Sequence, residues 1–179
     1  MPSRLRVPLG YAVGLLVLLL SRPSPVSVLL GLPLGVIGEG IRVWASGHID
    51  KTRSLATGGP YAFTRNPLYL GSLLLALGVA VASASLWVVL AVAAYFTAFY
   101  PSVMREEAGF LREKFAVEYR GWAAEVPSFL PRLTPGGPRA SRFTWERVGR
   151  NREWRTAFGL LLAAALLYLR HLLAACGVL

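Results

Sequence analysis

Charge is scarce in this chain of 179 residues: Asp, Glu, Lys and Arg make up 16% of it, where soluble domains carry about a quarter. Acidic groups are the scarcer kind, nine against 19 Lys and Arg. Cys176 is the single cysteine, which excludes an internal disulfide and any cysteine metal cluster. His48 and His171 are the only histidines. Their positions put them at or near opposite membrane faces, so no metal site is expected from them. Strand-like alternation, internal repeats and low-complexity tracts are also missing. Together these absences exclude a disulfide scaffold, a disordered chain and most water-soluble folds.

Apolar sequence is what the chain has in plenty, 55% of all residues, gathered in long blocks. A helix rises about 1.5 Å per residue, so roughly 17 to 25 mostly apolar residues cross the hydrocarbon core. Residues 26–44, 68–84, 86–103 and 156–173 meet that requirement or come close, and 5–20 make a short first span. Arg4 and Arg6 ahead of a short apolar run are also features of a signal peptide, but the following SRPSP lacks a small-x-small cleavage site. Pro23 and Pro25 then turn the chain into the second block. The expectation is an all-α, polytopic integral membrane protein of about five transmembrane helices plus a cytoplasmic amphipathic helix.

The net charge of +10 would suit nucleic acid, but its placement argues otherwise. Arg4 and Arg6, then Arg42, Lys51, Arg53 and Arg65, then eleven residues between Arg105 and Arg155 account for 17 of the 19 basic groups. Five spans with the N-terminus inside put all three sets on the cytoplasmic face and leave the uncharged 83–85 turn and Leu179 outside. The excess is therefore a topology signal whose partners are anionic headgroups, not nucleic acid. Arginine outnumbers lysine 17 to 2, a hint of a GC-rich prokaryotic genome and so of an inner-membrane location.

Two segments carry the residues that look like chemistry. Residues 38–71 read GEGIRVWASGHIDKTRSLATGGPYAFTRNPLYLG. Glu39 is a carboxylate about a turn inside an apolar helix, which is costly unless paired, and Arg42 three residues on shares its face. The two form either an internal ion pair or part of a polar cavity wall. GEG at 38–40 is no dinucleotide loop, because no strand precedes it. GGPY is a turn, Pro67 fits the first turn of the third helix, and Asn66 is placed to cap it. Free amides at that helix start suit a carboxylate or phosphate. Tyr61, Arg65 and Tyr69 crowd the same turn.

The second segment, 105–133, reads REEAGFLREKFAVEYRGWAAEVPSFLPRL. Ala108, Leu111, Phe115, Tyr119, Trp122 and Val126 recur every three or four residues, which predicts an amphipathic helix lying on the bilayer. Adjacent Glu106 and Glu107 repel one another and call for positive charge or hydroxyl donors, from Arg105 or a bound ligand.

Taken in order, these motifs resemble the isoprenylcysteine carboxyl methyltransferase family and the related membrane phospholipid methyltransferases. The shared pattern is Gly59, Pro60 and Tyr61; Arg65, Asn66 and Pro67; Tyr69 and Gly71; Glu106 and Glu107; then Val126, Pro127 and Pro131. The resemblance covers 39–132 and implies a membrane enzyme that moves a methyl group from S-adenosylmethionine to a lipophilic acceptor. It implies cofactor contacts for Tyr61, Arg65, Asn66, Pro67, Tyr69, Gly71, Glu106 and Glu107. Asn66 departs from the eukaryotic prenylcysteine enzymes, which have histidine there.

The cofactor's carboxylate, ammonium and ribose diol call for an anion binder and acidic acceptors, which the helix start with Arg65 and the paired glutamates supply. The expected organisation is a methyltransferase core over 1–132, a basic cytoplasmic linker over 133–155 and an added C-terminal transmembrane helix over 156–179. The leading expected reaction is O-methylation of an isoprenoid-like carboxylate, oriented by Arg42, Arg65 or Arg105. The alternative is N-methylation of a phosphatidylethanolamine-type amine, with Glu39 or Glu107 taking the proton. A non-catalytic membrane scaffold is the reading from a different class.

Overall fold

A computed structural model describes residues 2–50 and 54–176, with the backbone alone over 2–7. The side chains of Arg4 and Arg6, together with Lys51, Arg53 and Leu179, which enter the topology argument, lie outside the described residues. Seven α-helices and one 3-10 turn are described: α1 Pro2–Leu20, α2 Pro25–Ser46, the 3-10 turn Gly59–Ala62, α3 Pro67–Ala82, α4 Leu86–Lys114, α5 Ala116–Glu125, α6 Trp145–Arg150 and α7 Trp154–Ala175. Among the described residues there is no strand. α2, α4 and α7 are long and apolar enough to cross a membrane, whereas Pro8–Leu20 and α3 are shorter apolar helices. The chain is an all-helical integral membrane protein.

The chain divides into two compact units. The first comprises the described parts of 1–37, 73–103 and 156–179. Its core gathers Val17, Ala80, Ala82, Val88, Val92 and Leu167. Without a hydrophobic force between helices in lipid, close backbone packing is what joins them. α2 and α3 meet where Gly31 and Gly35 face Gly78: a Cβ on Gly78 would stand 2.7 Å from the carbonyl oxygen of Gly31 and from the amide nitrogen of Gly35. At one end of the unit, Arg170 donates to the carbonyls of Ser21 at 2.6 Å and Leu19 at 2.9 Å. These are carbonyls that the end of α1 leaves without helical partners. The Arg22 amide donates to Ser83 O across 2.7 Å, tying the two interhelical turns together at that end.

The second unit comprises the described parts of 38–72 and 104–155. Its core is Ala45, Leu55, Tyr61, Tyr119, Trp122 and Val126. The amphipathic helix expected on the bilayer is different in two ways. Its first turns are a continuation of α4, which ends at Lys114, and α5 begins only after a break at Phe115 (φ −120°, ψ 34°). Its apolar face is not spread on lipid: Tyr119, Trp122 and Val126 are buried in the unit's own core. The three-to-four spacing is satisfied by the rest of the chain, and the Trp122 indole donates to Tyr61 O across 2.9 Å.

Residues 133–155, expected as a linker, are largely exposed but are tied to the second unit by specific hydrogen bonds and ion pairs. Thr144 caps α6 by accepting from the Arg147 amide. Its own amide donates to Gly47 O at 3.0 Å. Asn151 donates to Ser46 O and Ile49 O, and Arg147 and Arg150 both reach Asp50.

Candidate active site

The site is built on the turn that opens α3. Gly59 has φ +57°, and a Cβ there would stand 2.5 Å from His48 Nε2, so the second glycine of GGPY is required both by backbone and by space. From Ala62 to Asn66 the chain runs beside the proline-rich 126–136 segment. Arg65 N donates to Pro127 O at 2.9 Å, Arg132 N to Phe63 O at 3.0 Å and Gly136 N to Ala62 O at 2.8 Å. Thr64 Oγ1 donates to Phe129 O at 2.8 Å. Prolines keep that segment extended, with carbonyls free to accept. The GPY and VPxxxP elements of the sequence are thus two halves of one structure.

α3 starts at Pro67, as its sequence predicts. Asn66 holds the helix start through its backbone carbonyl, which accepts from Tyr69 N and Leu70 N. Its side-chain amide donates to Ser128 O at 2.8 Å, so the role expected of it as a side-chain cap passes to the main chain.

A cavity of about 480 Å³ opens beside this turn, within the size range of small-molecule sites. Its polar lining includes Asp50, Arg65, Asn66 and Glu107, and Leu68, Leu111, Phe115 and Trp122 supply much of the apolar wall. Tyr69 Oη donates to Glu107 Oε2 at 2.9 Å, and Arg65 Nη1 donates to Tyr119 Oη at 3.1 Å. The Nε of Arg65 is shielded from solvent and, among the described residues, has no hydrogen-bond partner. A shielded guanidinium donor without an acceptor is costly, and a ligand carboxylate would satisfy it. Tyr61 also lines the cavity. Its burial, then the nearby Glu107 carboxylate, raise its ionisation well above the ordinary tyrosine value, so it stands as a neutral phenol.

Arg42 and Glu39 lie behind this wall. Neither residue lines the cavity, and among the described residues Glu39 makes no hydrogen bond to Arg42, although the guanidinium acts on it electrostatically. Arg42 Nε donates to Glu153 Oε1 at 2.6 Å, while its Nη1 donates to Ser72 Oγ at 2.5 Å and to Leu68 O at 3.3 Å. Three partners on other elements outweigh the local one three residues away. Both carboxylate oxygens of Glu39 are shielded and, among the described residues, lack a hydrogen-bond partner. Gly71 belongs to this cluster and not to the cavity lining: a Cβ there would stand 2.6 Å from Gly38 O and from Arg42 Cγ, so glycine lets α3 approach α2. Arg105 and Glu106 are on the exposed side of α4 and do not line the cavity.

Sequence reasoning missed Asp50 and Glu153. Asp50 carries no motif. Glu153 lies 111 residues from Arg42, in a segment that reads as basic linker. Trp122 was visible only as one member of an apolar stripe.

Residues 26–118 match the phospholipid methyltransferase family, and the chain belongs to that family. Over 108 residues it is 38% identical to the cobalt-zinc-cadmium resistance protein CzcN of Cupriavidus metallidurans, an alignment covering 59% of this chain and 48% of that protein. It is 32% identical over 108 residues to the nickel-cobalt-cadmium resistance protein NccN of Alcaligenes xylosoxydans xylosoxydans, covering 59% and 49%. The chain spans about half the length of these curated relatives. No solved structure matches it. Among the described residues, no three His, Cys, Asp or Glu side chains gather as metal ligands.

Proposed function

We propose that the protein is an S-adenosylmethionine-dependent methyltransferase acting on a lipophilic acceptor. Its architecture in this reading is five spans, with α1 and α3 as short ones and the cavity opening to the cytoplasm. The observation that carries it is the cavity itself: a shielded Arg65 donor without an acceptor, the Glu107 carboxylate held by Tyr69, and an aromatic wall. These fit the groups of the cofactor. Arg65 would hold its carboxylate, Glu107 its ammonium or ribose hydroxyls, and the wall of Leu111, Phe115 and Trp122 its adenine. When bound, the cofactor supplies an electrophilic methyl group for in-line displacement by an acceptor.

The chain's own residues do the remaining work of binding, alignment and water exclusion. Tyr61 contributes an uncharged wall and an O–H donor. Between the two acceptors considered, the charge arrangement supports the phosphatidylethanolamine-type amine over the isoprenylcysteine-like carboxylate. Arg42 is occupied, which removes it as a carboxylate clamp, whereas Glu39 lacks a donor. An ammonium must lose its proton before its nitrogen can attack; Glu39 and Glu107 are the two candidates to take it, and of these Glu107 lines the cavity. Calorimetric titration of purified protein with S-adenosylmethionine tests the reading: saturable one-site binding supports it, and absence of binding contradicts it.

A further inference from the structure

Asp50 follows the end of α2 and lines the cavity, and it is held by a segment outside the family match. Its Oδ2 accepts from Arg147 Nη2 at 3.4 Å and its Oδ1 from Arg150 Nη2 at 3.1 Å. Neither arginine lines the cavity. The 139–151 strap that carries them is seated on the turn from which the site is built. Ala140 N donates to Thr57 Oγ1 at 3.2 Å, and Gly58 N donates to Ser141 Oγ at 2.8 Å. A Cβ on Gly58 would collide with Ser141 O, so the first glycine of GGPY is what lets the strap lie against the turn. At the other end of the strap, Asn151 donates to the carbonyls of Ser46 and of Ile49, the residue before Asp50. The strap therefore fixes both the chain leading into Asp50 and its carboxylate.

The cavity lining holds two carboxylates, and their surroundings differ. Glu107 accepts from a neutral phenol, that of Tyr69, and among the described residues it forms no ion pair. Asp50 faces two guanidinia that offset its charge. Each of its oxygens takes one of those donors, which leaves each a further lone pair, since a carboxylate has about four acceptor sites. Its side chain is 16% exposed, so those sites can be reached. A carboxylate already balanced by two cations gains little from a third, because the new charge is repelled by the cations in place. It still accepts from hydroxyls, and two oxygens side by side suit two adjacent O–H donors, as acidic side chains take ribose hydroxyls in nucleotide sites. Glu107, with no cation of the protein beside it, is the better partner for an ammonium.

We propose that Asp50, held by the strap through Arg147 and Arg150, is a cofactor-binding residue that accepts the ribose diol of S-adenosylmethionine. Glu107 is then left to the cofactor's ammonium, and the cofactor site extends beyond the family-matching segment to the strap. This rests on the methyltransferase reading, and the experiment separates the two.

The test is calorimetry on the detergent-solubilised full chain with two ligands: S-adenosylhomocysteine, the stable demethylated form of the cofactor, and its analogue lacking both ribose hydroxyls. Wild type binds the form with the diol more tightly, by about tenfold or more. Asp50→Asn loses most of that preference, because affinity for the diol form falls while affinity for the analogue stays as it was. The unchanged analogue affinity reports an intact fold, and a merely structural role would lower both. Glu107→Gln weakens both ligands alike and keeps the preference. A preference undiminished in Asp50→Asn overturns the proposal, and so does one lost in Glu107→Gln. If Asp50→Asn fails to fold because two guanidinia stand unpaired, Asp50→Asn combined with Arg147→Gln and Arg150→Gln removes the cluster as a unit, and an undiminished preference there overturns it equally. Wild type that binds the two ligands alike overturns the diol assignment and leaves the methyltransferase reading standing. Wild type that binds neither defeats that reading itself.

Discussion

Tyr69 Oη meets Glu107 Oε2 at 2.9 Å, joining two residues 38 positions apart. The bond fixes the carboxylate that closes the cavity to the helix that opens it. Neighbouring Glu106 has no such place: it is exposed and does not line the cavity. Glu107→Gln should therefore weaken S-adenosylmethionine binding by about ten- to a hundredfold, the worth of a charge-assisted hydrogen bond of roughly 1.5–3 kcal/mol. Tyr69→Phe should weaken it less, because the carboxylate remains. Glu106→Gln should leave it unchanged. Calorimetry on the three variants checks the order, and an equal loss in the two glutamate variants would show that the pair acts as a unit.

Gly59 bears two constraints that can be separated. Its φ of +57° strains any side chain, and the His48 ring fills the space a Cβ would need. Gly59→Ala should lower stability by more than the roughly 1–2 kcal/mol of left-handed strain alone. Adding His48→Ala should recover the steric part and leave the backbone part. Thermal unfolding in detergent reads both, and full recovery in the double variant would remove backbone strain from the explanation.

Tyr61 provides a pH dependence. Its ionisation is raised in the folded protein, first by burial and then by Glu107. A folded value above the unfolded one of about 10 means the stabilisation is complete below that pH. It is lost as pH rises from there toward the folded value, because only the unfolded chain releases the proton. Tyr61→Phe should flatten this alkaline loss. Stability profiles from pH 8 upward, compared between the two proteins, decide it, and identical slopes would contradict it.

The apolar blocks made the helical class and the membrane location legible, because a 3.6-residue period and span length are local properties of sequence. The α3 turn was legible for the same reason: proline at a helix start and a glycine pair have fixed conformational uses. The pairings were not. Arg42 and Glu39 are neighbours on one helix, yet Arg42 selects Glu153, a long-range choice that no local pattern encodes. The apolar stripe through Trp122 was read correctly as a face and incorrectly as a lipid-facing one. Periodicity says that a face is buried without saying against what. Segment 133–155 reads as linker because its packing runs through backbone carbonyls and Asp50, which leave no periodic trace.

The central claim is tested most directly by methyl transfer in liposomes containing phosphatidylethanolamine, with S-adenosylmethionine labelled on its methyl group. The account predicts label in the extracted lipid amine. It predicts little label in free ethanolamine, since each buried CH₂ of an acceptor tail contributes about 0.8 kcal/mol to binding. It also predicts a drop of at least about tenfold in lipid labelling for Glu107→Gln at subsaturating cofactor. No label in the lipid fraction, or equal labelling of the lipid and its tailless headgroup, would contradict it.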